Sequence, residues 1–134
     1  MTILVPNTGE VITLEYVVNK NGNTQDLKYD FFTNNITPSE TDTAATYTIA
    51  TGGGYASKTM TGSSWTVTGG APSSATYAQQ TWTFTGALTT NPTIYGYRVT
   101  RATAGDLFCA ETFPSFTPAT NGDNILLTPT ITAD

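Results

Sequence analysis

The chain has 134 residues, a net charge of −5 and no histidine, so it is one domain by length, and Ser-His-Asp catalysis, Cys-His catalysis and His-ligated zinc are all excluded. Cys109 is its single cysteine, which leaves no intrachain disulfide and no thiolate metal cluster. Charged residues make up 11% of the chain against about 25% in ordinary domains, so its 30 threonines, with Ser, Asn and Gly, must form the surface.

The segment MTILVP is a short apolar arm ended by Pro6. It has no basic n-region and too short an apolar run for a secretory signal. NTGEVITLEYVVNKNGN then supports two readings. Asn7 with Glu10 resembles a capping box, Gly22 after Lys20 is a stop, and Val11, Leu14 and Val18 would share a helical face. VITLEYVV is also β-branched enough for a strand. The capping pair favours a helix over residues 8–19.

The period then falls to two. Leu27, Tyr29 and Phe31 alternate with Asp26, Lys28 and Asp30, which predicts a half-buried strand. NNITPSETDTAA is a loop carrying Glu40 and Asp42, and ATYTIA is read as a short strand. Glycine turns with the short runs SKTMT and SWTVT follow, and then a strand over 76–85. In TIYGYRVTR, Tyr95, Tyr97 and Val99 are expected on one face, with Ile94, Gly96 and Arg98 on the other. DLFCAETF is another strand, and the NGD turn at 121–123 leads into a final strand, ILLTPTIT. The whole predicts a single antiparallel β-sandwich, jelly-roll-like, with one short N-terminal helix. Its expected core is Tyr29, Phe31, Trp82, Phe84, Tyr97 and Val99.

Candidate sites are few. Trp82 and Phe84 would share a strand face, as a sugar-stacking platform or as packing, and an antiparallel sheet that covers one side favours packing. Glu40 and Asp42, joined by Asp26 or Asp123, could ligate calcium through oxygen, but the EF-hand pattern is missing. Ser57 and Lys58 are adjacent, so on a strand they would point to opposite faces. TGGG at 51–54 lacks the Lys-Ser/Thr of a phosphate loop and reads as a turn. Cys109, in LFCA, reads as a small buried apolar side chain. No catalytic residue, cofactor or metal is predicted. The chain has no basic run for nucleic acid and no apolar run near the roughly 20 residues of a membrane-spanning helix.

Several segments in order, NTGEVITLEYVVN, LKYDFFTNNITPSETDTAATYTIAT, YASKTMTGSSW, IYGYRVTRATAGDLFCAETF and NGDNILLTPTI, resemble a group of small tailed-phage proteins. That group occurs in environmental and cyanobacterial phages and is taken to consist of virion components. Its recurring features correspond to Asn7-Thr8-Gly9-Glu10, Lys58 before Thr59, Tyr95-Gly96-Tyr97 and Asn121-Gly122-Asp123. The resemblance implies a structural role in a virion assembled in the host cytoplasm, foremost as a head decoration (cement) protein bound to the major capsid protein. It also implies self-association, with a trimer favoured. The alternative is a tail- or fibre-associated module binding host-surface glycan through Trp65, Tyr55 or Tyr47, and a carboxylate hydrolase is a third, weaker reading. Ile3, Leu4 and Val5 of the arm, with Leu127 and Ile131 of the last strand, are the expected assembly contacts. A fold-back of the arm on its own sheet is the competing expectation.

Overall fold

The computed structural model describes residues 3–17, 25–89 and 91–133. Its elements are α1 (Asn7–Val17), β1 (Leu27–Phe32), β2 (Lys58–Met60), β3 (Thr66–Thr68), β4 (Ser73–Thr76), β5 (Gln80–Thr83), β6 (Ile94–Arg101), β7 (Leu107–Phe116), β8 (Asn124–Leu127) and β9 (Thr130–Ala133). All strand pairs are antiparallel. A four-stranded sheet, β2-β1-β6-β7, faces a second layer made of β3-β4-β9 and β5-β8. The protein is mainly β with one helix, a sandwich-like fold.

The main core lies between the layers. Tyr29 and Phe31 stand directly opposite Val99 and Tyr97 across β1 and β6, as cross-strand neighbours on one face. Trp82, Phe84 and Leu88 close over them. The Phe31 and Trp82 rings are 4.8 Å apart, and Tyr29 stacks on Tyr97 at 5.5 Å. All six residues expected in the core are buried there.

The other face of the large sheet is also covered, which period-two alternation did not predict. Phe32, Tyr47, Leu107 and Ala110 form a second cluster, with Ile36, Ala44, Ile49 and Tyr95 packed against it. Asp30, expected on the polar side of a half-buried strand, is 1% exposed beneath that cover. It survives there because Arg98, its register partner on β6, donates to Oδ2 from Nε and Nη2 at 3.3 and 3.2 Å. The segment ATYTIA supplies the cover without being a strand. Ala44–Thr46 is a 3₁₀ turn, and Ile49 makes a single bridge to Phe32.

Three further expectations need correction. A register shift between Ile94 and Gly96 reverses the alternation, so Ile94 enters the main core and Tyr95 the second cluster. Pro129 cannot donate to a ladder, and ILLTPTIT divides there into β8, paired with β5, and β9, paired with β4. The helix begins one residue early: Glu10 N–H donates to Pro6 O, so Pro6 and not Asn7 opens it. Its inner stripe is Gly9, Ile12 and Tyr16, while Val11 and Leu14 are 56% and 65% exposed. Val18 lies outside the described residues.

Gly9 explains that rotation. A Cβ there would overlap the Phe108 carbonyl oxygen and sit 2.8 Å from Val5 Cγ1, so the helix backbone rests directly on β7. The arm continues the same edge, with Leu4 and Ala110 exchanging N–H···O bonds of 2.9 and 3.0 Å. Helix propensity alone favours Ala over Gly by about 1 kcal/mol. Gly9→Ala is nevertheless expected to destabilise the domain by about 1–3 kcal/mol, the cost of overpacking. A lowered urea midpoint checks this, and an unchanged or raised one would remove the close approach as the cause.

Candidate functional site

An apolar opening lies at one end of the sandwich. It is a groove of about 270 Å³ lined by Tyr16, Gln25, Leu27, Met60, Gly62, Trp65, Ala75, Phe108 and Ile131. Leu27 and Met60 are register partners at the end of the large sheet. Ala75 and Ile131 are partners on β4 and β9, and Tyr16 reaches in from the helix. Among these residues the only side-chain amide belongs to Gln25. Its Oε1 already accepts the backbone N–H groups of Thr103 and Ala104, at 3.2 and 2.9 Å. The groove can bury apolar surface but presents almost nothing that would orient a polar ligand.

The aromatics proposed for stacking are mostly internal. Trp82 and Phe84 are core residues; Trp82 donates Nε1–H to Ala56 O at 3.0 Å and carries Lys58 Nζ 5.3 Å above its ring. Tyr47 is buried and donates to Asp42. The Tyr55 hydroxyl is used within the core, accepting Phe31 N–H at 2.7 Å. Trp65 is half-buried on the groove wall, edge-on to Tyr77 at 5.3 Å. Burial pushes the phenols of Tyr29, Tyr47, Tyr55 and Tyr97 far above their ordinary range, so none ionises near neutral pH.

The acids are dispersed, and each organises its own turn. Asp26 accepts Gly62 N–H, Asp42 accepts Ser39 N–H, and Asp123 accepts the amides of Ala119 and Thr120. Glu40 is exposed, and its carbonyl accepts Asn7 N–H. Among the described residues no three His, Cys, Asp or Glu side chains gather to hold a metal. Ser57 is exposed ahead of β2 while Lys58 lies over Trp82. The three glycines at 52–54 all have positive φ and pack against the 85–89 segment as a turn. Cys109 is buried in the main core, and desolvation raises its thiol pKa well above the usual value, leaving an unreactive group.

The expected assembly residues occupy three places. Ile3 and Val5 pack against the main core, and Leu4 is bridged to Ala110, so the described part of the arm lies on its own sheet. Leu127 pairs with Gln80 and also packs on that core, whereas Ile131 lines the groove. Sequence reasoning missed the buried Asp30–Arg98 pair and the Tyr97 hydroxyl donating to Glu111. Their partners are 68 and 14 positions apart, and no local pattern links them.

Among the residues of the recurring segments noted in the sequence, Gly9, Lys58, Gly96, Gly122 and Asp123 have framework roles. Gly9 seats the helix. Gly96 leaves room for the Phe32 ring, whose Cζ would lie 2.6 Å from an added Cβ. Lys58 covers Trp82. Gly122 has a φ of 100° and Asp123 clamps the turn, while Gly122 N–H and Phe84 N–H tie it to the strand end. Compared with known proteins, the chain matches no family model, no curated protein and no solved structure.

Two outcomes follow from this geometry. Trp82→Ala should cost about 3–5 kcal/mol, the range for a large aromatic removed from a core; a variant as stable as the parent in urea would make the ring a surface platform instead. Asp123 is held below its ordinary value near 3.8 by the amides of Ala119 and Thr120 and by the Thr120 hydroxyl. Its stabilising share is complete above the unfolded value and disappears as pH falls through the lower folded one. Asp123→Asn should therefore lower the urea midpoint at neutral pH, by an amount that shrinks as pH falls below the ordinary carboxylate value and through the lowered folded one. A difference independent of pH would assign the effect to shape alone.

Proposed function

We propose that the chain is a non-enzymatic phage virion structural protein, most specifically a capsid decoration protein that stabilises the head through protein–protein contacts. The observation that carries this reading is how the chemistry-bearing side chains are used. Asp30, Arg98, Tyr97, Glu111, Asp42 and Asp123 are all engaged in internal hydrogen bonds or ion pairs, and Gly9, Lys58 and Gly96 of the recurring segments have framework roles. A cement protein needs rigidity and contact area, with no reaction to perform. Double coverage of the large sheet supplies the rigidity, and Val11 and Leu14 offer apolar contact on the helix's outer side. Its partners in this reading are the major capsid protein and further copies of the chain, with a trimer as the arrangement the resemblance implies. The glycan-binding alternative has weaker support, since Tyr47 and Tyr55 are used inside and the groove beside Trp65 is almost wholly apolar.

Electron cryomicroscopy of the intact particle tests the proposal. The domain is expected on the outer head surface at capsomer junctions, in contact with the major capsid protein. Density confined to the tail would transfer support to the alternative, and absence from the particle would end the virion reading.

A further inference from the structure

The apolar groove is left open by its smallest residues. Ala75 stands beside Ile131 in the β4–β9 register, and both line the groove, so a longer side chain at Ala75 would reach into it. Gly62 lines it too, and its backbone does not require glycine. Its φ is not positive, and within 4 Å an added Cβ would meet only Asp26 Oδ1, at 3.8 Å. Phe108 comes to the same wall through a bulge. Its neighbours Leu107 and Cys109 pair with Thr100 and Val99, which leaves Phe108 out of the β6–β7 ladder. Bulges re-aim side chains in this way, and here the ring lines the groove.

The walls are held from behind. Asp26 Oδ1 accepts Gly62 N–H at 2.9 Å, and Trp65 N–H closes the next turn on Gly62 O at 3.4 Å. The Trp65 ring is braced edge-on by Tyr77. The Tyr16 hydroxyl donates to Gln25 O at 3.4 Å, and the Gln25 side-chain oxygen is occupied by two backbone amides. Met60, completely buried, forms the floor with its register partner Leu27. Ligand pockets are typically built like this, apolar walls carrying few polar groups.

We propose that this groove binds an uncharged, hydrocarbon-rich small molecule of roughly ten heavy atoms. Volume sets the size. An apolar cavity of about 150 Å³ holds benzene, and this groove is about 270 Å³. It takes the whole of such a molecule, but little more than one side chain of a protein partner. Charge complementarity selects among ligands of that size. No side chain lining the groove is charged, so a charged group brought inside loses its hydration without gaining an ion partner there. An anion fares worst. The Asp26 carboxylate stands beside Gly62, and the chain carries −5 overall. Arg101, opposite Leu27 in register, does not offset this, because it is paired with Asp106. The site is independent of the virion reading and needs no particle.

Titration of the full chain with n-octanol, octanoate and octylammonium, read from the side-chain methyl resonances of Met60, Ala75 and Ile131, tests the site. These signals should move saturably with octanol below about 1 mM. Octanoate and octylammonium should bind about tenfold or more weakly. Ala75→Phe and Gly62→Val each fill the groove, and each should weaken octanol binding about tenfold at an unchanged or raised melting temperature. No saturation, binding of either charged relative as tight as octanol, or full affinity in folded filled variants overturns the proposal. Movement of the same signals with protein concentration alone would make a second copy the occupant, and overturns it equally. Should a filled variant unfold, the other variant and the parent titration decide.

Discussion

Phe31 and Phe32 are consecutive in β1, so they point to opposite faces of the large sheet, and both are almost completely buried. This one constraint organises the rest. A sheet that buries successive aromatics needs two covers, and the chain supplies them by different means. The small sheets with Trp82 and Phe84 close one face, while the loop around Tyr47 closes the other. Each cover buries a large side chain worth about 1.5–3 kcal/mol relative to exposure.

Double coverage forces a charge inside. Asp30 lies between Tyr29 and Phe31 in sequence and shares the Phe32 side of the strand, so closing that face takes its carboxylate out of water. Oδ2 is met by two Arg98 nitrogens, and Lys28 Nζ stands 3.6 Å from Oδ1. Arg98 also donates to Ala44 O, which ties the ion pair to the covering loop. Such a pair adds little net stability, since desolvation offsets its attraction, but breaking one costs about 3–5 kcal/mol. It therefore acts mainly on register. A one-residue slip of β6 would send Arg98 into the main core and strip Asp30 Oδ2 of both its guanidinium bonds.

The same economy of charge shapes the surface. With few ionic side chains available, the acids cap turns and the hydroxyls face outward along strands such as β3 and β9. This leaves apolar side chains exposed at the helix and at the β3 edge as the most distinctive outward features. A fold built this way is suited to contact with other proteins, which is the basis of the structural role proposed for it.

Strand positions and the main core were legible in the sequence because period-two alternation records which side chains of one strand share a face. Trp82, Phe84, Tyr29 and Val99 are such cases, and Cys109, in its apolar run, reads as a buried side chain for a similar local reason. The groove was not legible, since Leu27, Trp65, Phe108 and Ile131 meet only when four distant segments converge. Nor was the second cover: alternation marks Asp30 as polar but cannot say that residues 44–49 will lie over it. The bulge at Tyr95 and the buried face of the helix depend likewise on contacts with β7. The sequence by itself indicated β1, β6 and β7, the helix, the aromatic core and the exclusion of histidine and disulfide chemistry, all of which are local or compositional. By contrast, ATYTIA is not a strand, and the runs 76–85 and ILLTPTIT are divided between β4 and β5 and between β8 and β9. Tertiary structure alone decided which faces are covered and which edges stay open, because burial belongs to pairs of segments that the chain keeps far apart.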